Sequence, residues 1–404
     1  MSDFFDLIIL GGGCAGLSLA TRLAASGVNC PHIAVVERRD VYTRDRTWCF
    51  FKDSQTPSLH SAQHEWSSMR VSTTAGSTAV DCVASPYQMV HAGQFYQDAQ
   101  KMIEQNSQVK LLMGASISHA PEKQGDQWRV ETTAGTLHAR FIVDTRPAAS
   151  PERGGASLWQ SFYGQEIECE IDVFDPTCGD LMDFAAAEHC GALMSFPDSV
   201  AFVYVLPTSS KRALVEFTVF GPDPMDKEAF FELQAKAVSQ RLAGAAYSVL
   251  RTEHGVLPMG AKPVTPSGDP TYIFAGVTAG GARPSSGYAF ARIQRWAAAC
   301  SVAIVSGEAP VGHAPDGLIL RAMDALFLKV VRACSRVAPD LFLALFAGAD
   351  SRHVIRFLND RGTLADYAAV VGALLPGPLL RALAGPRRVR PQQAIVVSGA
   401  VTPN

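Results

Sequence analysis

The stretch DLIILGGGCAG, residues 6–16, decides the fold of this chain. Its apolar first half predicts a short buried strand, and the segment LSLATRL that follows it has a helical pattern. Between strand and helix, Gly11 permits a tight turn, Gly13 lets the backbone approach a pyrophosphate, and Gly16 lets helix and strand pack closely. The helix N-terminus then presents free N–H groups and a partial positive charge. The stretch therefore predicts a phosphate-binding loop.

A second strand and an acidic residue follow at the spacing of a dinucleotide-binding unit. Ile33 to Val36 is a short apolar run, and Glu37, at its end, lies 21 positions after Gly16. A carboxylate there can accept hydrogen bonds from a ribose diol. A glycine-rich turn without a ligand does not explain Glu37. We therefore predict a Rossmann-type βαβ unit that binds a dinucleotide.

The elements after this unit favour FAD over NAD. Instead of regular βα repeats, the chain has a polar, loop-rich tract to about Ala79. We expect a helix over about 91–105 and then strands over 109–113, 127–132 and 137–144. This order is typical of flavoprotein hydroxylases and reductases, in which a substrate domain interrupts the nucleotide domain.

A second glycine cluster follows a predicted strand at 271–276 and precedes a predicted helix at 291–305. The loop between them offers backbone N–H groups to the pyrophosphate, ribityl chain or ring edge of a flavin. An ordinary strand-to-helix connection is the alternative. The cofactor-binding candidates in this segment are Gly276, Gly280, Pro284, Ser286 and Gly287.

These elements predict an α/β protein with a Rossmann-type FAD-binding domain, an interrupting mixed β-sheet substrate domain and a C-terminal helical region. We assign segments 1–50, 86–147 and 270–312 to the FAD-binding domain, and 51–85 and 148–269 to the substrate domain. A helical, membrane-associated region over 313–390 and a disordered tail over 391–404 complete the predicted organisation.

The composition excludes some classes of function. Hydrophobic residues make up 48% of the chain and charged residues 18%, with a net charge of -3, so we expect no nucleic-acid partner. The nine cysteines form no C-x-x-C pair and no cluster with zinc spacing, which favours reduced thiols in the cytoplasm and no metal site. We expect neither a signal peptide nor a transmembrane helix.

Short motifs along nearly the whole chain occur in the order found in one enzyme family. They are RTWCF (46–50), DTRP (144–147), QSFYG (160–164), DPT (175–177), LMDF (181–184), FVYVLP (202–207), LVEFT (214–218), HGVLPMG (254–260), PSSGYAF (284–290) and RFLND (356–360). This ordered set resembles the FAD-dependent lycopene cyclases of bacteria.

The resemblance implies a reaction without net redox change that nevertheless needs reduced FAD, with NAD(P)H as the electron source. In that family, an acid protonates the end of lycopene or a related acyclic carotene, the cation closes a β-ring, and a proton is lost. Such chemistry requires an acid of raised pKa in a dry pocket. The implied partners are a carotenoid and the membrane surface, with the protein attached peripherally to the inner face of the cell membrane.

Glu216 is the first candidate for the acid. Segments 201–206 and 213–220 predict a hairpin in which Leu214, Glu216 and Thr218 share one face. A lone carboxyl group among apolar neighbours is desolvated, which raises its pKa. The alternative is a solvated glutamate on an exposed strand. Phe217 stands where relatives often have a second acid, which argues against any mechanism that needs paired carboxylates at this position.

Asp183 is the second catalytic candidate, through the LMDF motif. Relatives usually continue with arginine, whereas this chain continues with three alanines. A helix-capping role for Asp183 is the alternative.

Further residues are candidates for contacts with FAD or substrate. Arg46 and Asp144 join Gly11, Gly13, Gly16 and Glu37 as cofactor-binding candidates through the resemblance. Arg146 and Arg283 are considered for flavin contacts, with a surface position as the alternative. The aromatic residues Trp48, Phe162, Tyr204 and Tyr288 are candidates for a substrate tunnel that stabilises a cation through their π faces, with a plain core role as the alternative.

The C-terminal third predicts helices. Asp316 is expected to cap a helix that runs to about Val337, and a second helix is expected over 339–346. The apolar segment 363–383 is broken by Pro376 and Pro378 and followed by Arg381, Arg387, Arg388 and Arg390, a pattern that fits shallow membrane insertion. A helical core packed on the flavin domain is the alternative.

Three other functions remain open at this level. The first is an FAD- and NAD(P)H-dependent monooxygenase or reductase that acts on an apolar isoprenoid, and the second is a carotenoid-binding protein without catalysis. The third is the cyclisation of a different polyene. The sequence leaves open whether one or both ends react, which ring forms, which group removes the final proton and how the protein oligomerises.

Overall fold

The computed structural model describes residues 3–53, 62–147, 155–264, 268–374 and 376–377. The strands are β1 (Asp3–Leu10), β2 (Ile33–Val36), β3 (Thr47–Phe51), β4 (His64–Trp66), β5 (Ser68–Thr73), β6 (Gly76–Asp81), β7 (Tyr87–His91), β8 (Val109–Leu112), β9 (Glu122–Gln124), β10 (Gln127–Thr132), β11 (Gly135–Asp144), β12 (Leu158–Cys169), β13 (Cys178–Asp183), β14 (Val200–Pro207), β15 (Arg212–Gly221), β16 (Tyr247–Met259) and β17 (Tyr272–Phe274).

The helices of the same part of the chain are α1 (Cys14–Ala24), α2 (Ala92–Glu104), α3 (Phe184–His189), α4 (Ala192–Ser195), α5 (Phe231–Leu242), α6 (Phe290–Val305), α7 (Leu318–Ala333), α8 (Ala338–Gly348), α9 (Ser351–Leu358) and α10 (Leu364–Ala373). The strands and helices predicted on either side of both glycine clusters are confirmed, with ends that shift by one to three residues.

The first large sheet contains the predicted βαβ unit. Its strand order is β8-β2-β1-β11-β10-β9, with β17 paired to β11. The pairs β8–β2, β2–β1, β1–β11 and β11–β17 are parallel. In β1 and β2 the side chains of Leu7 to Leu10 and of Ile33 to Val36 are buried, as expected for parallel strands covered on both faces. Helices α1, α2 and α6 pack together with these strands in one apolar cluster.

The second large sheet has the strand order β16-β12-β15-β14-β13-β5-β6 and is mixed, because β13 and β5 run parallel while its other pairs are antiparallel. A small antiparallel sheet has the strand order β3-β7-β4. The Rossmann-type flavoprotein fold with a mixed substrate sheet and a C-terminal helical region is thus confirmed.

The hairpin β14–β15 separates two apolar layers. Leu214 and Phe220 pack in the cluster that contains the C-terminal helices α7 to α10, whereas Val215 and Phe217 pack in the cluster that contains α5. The predicted alternation along β15 is therefore confirmed. Each large apolar side chain that is removed from water in this way contributes roughly 1.5–3 kcal/mol before entropy is subtracted.

Two predictions about local structure are wrong. The tract up to Ala79 contains β4, β5 and the first part of β6 in its described portion. In β5, Met69, Val71 and Thr73 are buried, whereas serine and arginine occupy the alternate positions. These polar residues made the segment resemble a loop in the sequence, although it forms a strand.

The second wrong prediction concerns Asp316. Helix α7 begins after Gly317, and Asp316 instead accepts a hydrogen bond from Arg292 Nη2 at 2.7 Å. The helix ends at Ala333, and a short 3₁₀ turn over 335–337 follows it. An ion pair to α6 thus replaces the expected cap, and the change of direction at Cys334 ends the helix early.

The C-terminal prediction is tested only in part. Within the described residues, α8 covers the expected helix at 339–346, and α10 begins after Thr363, whose side chain forms a capping box with Asp366. The four C-terminal arginines and the tail 391–404 lie outside the described residues. None of the helices in the described ranges combines the length and hydropathy that a membrane crossing requires.

The proposed domain division follows the two large sheets. The strands of the first sheet fall in segments 1–50, 86–147 and 270–312, and those of the second fall in 51–85 and 148–269. The boundaries themselves stay a proposal.

Arg283 joins the loop before α6 to the C-terminal helices and is fully buried, so it is neither a surface residue nor free for a flavin. Its guanidinium pairs with Asp324 Oδ1 at 2.9 Å, donates to the carbonyl of Phe357 and lies 4.1 Å from the centroid of the Phe357 ring. Ser285 Oγ also donates to Asp324.

We predict that Arg283→Met lowers the free energy of unfolding by about 3–5 kcal/mol, because it leaves the buried carboxylate of Asp324 without its cation. The double variant Arg283→Met/Asp324→Leu is expected to regain most of this loss, since both charges are then removed. Urea unfolding measures both values. A double variant that is no more stable than the single one contradicts this account.

Candidate active site

The glycine loop after β1 forms a cradle that only glycine can build at two positions. Gly11 has a φ of 97°, in the left-handed region, and a Cβ on Gly16 would lie 1.9 Å from the carbonyl oxygen of Gly11. A Cβ on Gly13 would meet no atom within 4 Å, so the loop is open in front of α1. Because Gly13 is the N-cap of α1 and has no side chain, the first N–H groups of the helix face this opening uncapped.

Glu37 lies beside the cradle, at the end of β2. Its carboxylate accepts hydrogen bonds from Gly12 N at 2.8 Å and from Arg39 N at 2.9 Å, and it pairs with the Arg39 guanidinium at 3.0 Å. Burial opposes ionisation, but the hydrogen bonds from Arg39 and Gly12 outweigh it, so the pKa of Glu37 lies below its ordinary value. An ionised carboxylate here fits a ribose diol.

The second glycine cluster adjoins the first. A Cβ on Gly276 would lie 3.5 Å from Ala15 Cβ, at the start of α1. The N–H of Gly276 donates to His313 Nε2 at 3.1 Å. Burial, together with Arg292 and Arg295, lowers the pKa of His313 to about 3, so the ring is neutral and can accept this bond.

Asp144 and Arg146 lie next to the cradle and form an ion pair with each other. Arg146 donates hydrogen bonds to both carboxylate oxygens of Asp144, at 2.9 and 2.7 Å. The hydroxyl of Tyr272 also donates to Asp144, to Oδ2 at 2.8 Å. The carboxylate of Asp144 is thus committed within the protein. A direct contact of Asp144 with a cofactor stays a prediction.

A cavity of about 450 Å³ lies between the mixed sheet, β3, the loop over 285–289 and the C-terminal helices. The sequence-predicted residues that line it are Arg46, Trp48, Phe162, Tyr204, Glu216, Ser286, Gly287 and Tyr288. The helices contribute apolar side chains, among them Phe327, Phe342 and Val370. The structure therefore brings the candidate acid and the four candidate substrate-binding aromatic residues to one apolar cavity.

Glu216 sits in the middle of a row of residues that crosses four strands of the mixed sheet. It pairs with Tyr204 on β14 and with Gly164 on β12, and Gly164 in turn pairs with Glu253 on β16. The side chain of Glu216 is 8% exposed, and its Oε1 accepts a hydrogen bond from Thr218 Oγ1 at 2.9 Å.

Burial, followed by the negative charge of Glu253, raises the pKa of Glu216 to about 8. The hydroxyl of Thr218 and the charge of Arg251 act in the opposite direction but are weaker. At neutral pH this carboxyl group therefore carries a proton that it can donate.

Asp183 does not line the cavity, although its neighbours Leu181 and Met182 do. It is the N-cap of α3 and accepts a hydrogen bond from Ala186 N at 2.9 Å. Burial raises the pKa of Asp183 as well. The structure thus gives Asp183 the capping contact of the alternative interpretation and does not bring it together with Glu216.

Sequence reasoning missed several residues of the site. Tyr204 donates to Tyr87 OH at 2.9 Å, and the hydroxyls of Tyr87 and Tyr288 are 3.3 Å apart, so three phenols form a chain. Glu253 and Thr47 also line the cavity. Their only signal in the sequence was position, since Glu253 directly precedes HGVLPMG and Thr47 lies within RTWCF.

A family comparison decides which kind of protein carries this site. A family model described as lycopene cyclase protein matches residues 6–384, from the strand of the cradle to beyond α10. The chain belongs to the lycopene cyclase family. The resemblance read from the sequence motifs is thereby confirmed.

Relatives of this lycopene cyclase family member are distant. A protein of Deinococcus radiodurans described as an uncharacterized carotenoid cyclase is 26% identical over 403 residues, which cover 93% of each chain. The chloroplastic lycopene beta cyclase of Nicotiana tabacum is 25% identical over 301 residues, covering 71% of this chain and 57% of that protein.

Solved structures show the same fold. A geranylgeranyl bacteriochlorophyll reductase-like protein from Thermoplasma acidophilum superposes with a TM-score of 0.57 at 12% identity, covering 95% of this chain and 100% of that one. The flavin-dependent monooxygenase PieE, in complex with FAD and substrate, gives a TM-score of 0.55 at 11% identity, covering 92% and 72%. Family and fold together support carotenoid cyclisation as the general activity.

The raised pKa of Glu216 predicts a pH-dependent stability. In the unfolded chain the pKa of this group is near its ordinary value of 4.5, whereas in the folded protein it is about 8. Its contribution to stability is therefore present below pH 4.5 and is lost as the pH rises to 8.

We expect the stability advantage of Glu216→Gln over the wild type to grow by about 3–4 kcal/mol as the pH rises from 5 to 8. Denaturant unfolding at both pH values measures this difference. As a control, Glu168→Gln, at a half-exposed ion pair on β12, should show no such gain. Equal differences at the two pH values contradict the burial argument for Glu216.

Proposed function

We propose that this protein is a lycopene β-cyclase that depends on reduced FAD and closes the linear ends of lycopene, or of a related acyclic carotene, into β-rings. The observation that carries the proposal is the buried carboxyl group of Glu216, whose pKa is raised by burial, in an apolar cavity lined by aromatic side chains. This is the arrangement that protonation of an alkene requires, because an exposed carboxyl group is already ionised at neutral pH.

The reaction consists of three steps that leave the substrate's composition unchanged. Glu216 donates its proton to the terminal double bond, which leaves a tertiary cation. The neighbouring alkene attacks this cation and forms the ring, and loss of a proton from the ring carbon restores a double bond. No electrons are gained or lost overall, so the product is an isomer of the substrate.

The aromatic side chains of the cavity support the cationic stage. The faces of Trp48, Phe162, Tyr204 and Tyr288 offer negative electrostatic potential to a carbocation and expose few nucleophilic atoms. The apolar helix residues on the opposite side exclude water, which would otherwise quench the cation.

The glycine cradle, Glu37 and the loop over 276–287 are the residues that we propose to hold FAD. The open loop at Gly13, the uncapped N-terminus of α1 and the ionised Glu37 fit a pyrophosphate and a ribose diol. Reduced FAD, when bound, supplies negative charge near the cation, and NAD(P)H is the proposed source of its electrons. Arg46, which lines the cavity, is a further proposed contact to it.

We also propose peripheral attachment to the inner face of the cell membrane. Carotenes dissolve in lipid, so the substrate must enter from a membrane. Helices α7 and α10, whose other faces line the cavity, expose apolar side chains to solvent, namely Leu318, Ile319, Leu364 and Val371. Such side chains favour shallow insertion.

We expect the wild-type protein to convert lycopene to β-carotene or γ-carotene in a lycopene-accumulating bacterium, and Glu216→Gln to lower this conversion by about 10²–10⁴-fold because the proton donor is lost. Pigments are identified by chromatography and absorption. Glu168→Gln serves as a control of equal chemical change and should keep wild-type conversion.

Three outcomes would redirect the proposal. Cyclisation by Glu216→Gln would remove Glu216 from the acid role and make Asp183→Asn the next variant. Untouched lycopene in the presence of folded, flavin-bearing wild type would favour another polyene or the reductase. Cyclisation that requires oxygen would favour the monooxygenase.

A second prediction concerns the flavin. We expect Gly16→Ala to abolish FAD retention on purification, because its Cβ would meet the backbone oxygen of Gly11. Gly317→Ala, where a Cβ meets nothing within 4 Å, should retain FAD. The flavin absorbance of the purified proteins measures this, and anaerobic assays with oxidised and reduced FAD test whether only the reduced form supports cyclisation. Full occupancy in Gly16→Ala contradicts the assignment of the cradle.

A further inference from the structure

We propose that Glu253 is a positioning residue for Glu216: its ion-paired carboxylate, placed across Gly164, keeps the catalytic carboxyl group in its acid form. This inference rests on the proposed function of Glu216 and extends it to a second carboxylate on a different strand.

The register of the sheet brings the two acids to one face. Gly164 on β12 is the partner of Glu216 on one side and of Glu253 on the other. Directly paired residues of neighbouring strands project to the same face, so both glutamates point toward the cavity, which both of them line. Two strand spacings separate their Cα atoms by roughly 10 Å, and the side chains extend into the shared space.

Gly164 leaves this space open. A Cβ at this position would lie 3.3 Å from both Cβ and Oε2 of Glu216. A side chain at this position would crowd Glu216, which would have to shift by a few tenths of an ångström. With glycine, no side chain of β12 screens one charge from the other at this point.

The surroundings of the two glutamates are unequal. Glu253 Oε2 accepts a hydrogen bond from Thr47 Oγ1 at 2.9 Å and pairs with Arg251 Nη1. Arg251 Nη2 donates to Thr47 Oγ1 at 2.8 Å, which closes a triangle of polar contacts. Glu216 has the hydroxyl of Thr218 as its side-chain partner.

This asymmetry favours a proton on Glu216. The contacts with Arg251 and Thr47 fix the position of the Glu253 carboxylate, and its negative charge opposes ionisation of Glu216. The burial of Glu216 acts in the same direction.

The other titratable groups around this pair are three phenols, a thiol, two histidines and several ion pairs, and His254 and Asp324 also line the cavity. Burial raises the pKa of Tyr204, Tyr87, Tyr288 and Cys49, which face Glu216 from β14, β7, the loop before α6 and β3. Burial likewise lowers the pKa of His91 to about 4 and also lowers that of His64, so both rings are neutral. Arg251 also pairs with Glu166 at 3.1 Å, Arg44 lies 3.7 Å from Glu166, and Arg46 pairs with Asp45.

The test compares the pH dependence of kcat for lycopene cyclisation by the flavin-loaded protein. Glu253→Gln removes the opposing charge, so the alkaline limb of the profile, where Glu216 loses its proton, should move down by about one pH unit. Glu253→Asp keeps the charge and should leave the limb near its wild-type position. Arg251→Gln removes the cation and should move the limb upward, and Glu168→Gln is the control that should not move it.

A second readout does not depend on activity. Infrared titration of the protonated carboxyl C=O band, assigned by its loss in Glu216→Gln, should show the same downward shift in Glu253→Gln. If the limb and the band both stay in place, or move upward, while flavin and fold are retained, the inference is overturned. If the wild type does not cyclise lycopene but the band shifts as expected, the proposed function fails and the pairing of the two acids stands.

Discussion

Burying a carboxyl group in an apolar cavity disfavours its ionised form. The surroundings of Glu216 are arranged so that this effect operates there. The group must be removed from water, and this requires a closed cavity wall. It must also lack an adjacent cation, because a cation would favour the ionised form. The wall is supplied by the C-terminal helices, whose apolar side chains pack on the same face of the mixed sheet that carries Glu216. A carboxyl group on the opposite face would meet α5 and the apolar cluster around Phe217 instead of the cavity.

A second buried charge holds the helices of this wall together, and unlike the Glu216 carboxyl group it has an oppositely charged partner. Arg283 is completely buried, but it has Asp324 and the carbonyl of Phe357 as partners, and these groups belong to α7 and α9. A charge that is fully paired can tie helices together, whereas an acid that must give up its proton has to remain unpaired. The fold places these two cases a short distance apart, because Asp324 and Ser285 line the same cavity as Glu216.

The sequence predicted what depends on local pattern, and it failed where distant strands meet. The glycine cluster at 11–16 and the alternation of Leu214, Glu216 and Thr218 are local, and they led directly to the βαβ unit and to the face of β15. The partnership of Glu216 with Glu253 depends on β12 lying between β15 and β16, which no local pattern encodes. The absence of an acid at Phe217 argued against paired carboxylates, yet the second carboxylate comes from another strand. Asp316 failed as a cap for a similar reason, since a distant arginine competes for its carboxylate.

Two glutamates of this chain show how one side chain serves opposite tasks. Glu37 accepts hydrogen bonds from the N–H groups of Arg39 and Gly12, which stabilise its charged form. A charged carboxylate is what contact with ribose hydroxyls requires. Glu216 is also buried, but it accepts a hydrogen bond from the hydroxyl of Thr218 and lies near the charge of Glu253. Its neutral form is therefore favoured. The proposed cofactor site and the proposed acid therefore occupy different sheets with different electrostatic environments. On a fold that is also found in reductases and monooxygenases, the proposed acid catalysis depends on the partners of one buried carboxyl group in the mixed sheet, whereas the proposed cofactor site depends on the nucleotide cradle of the other sheet.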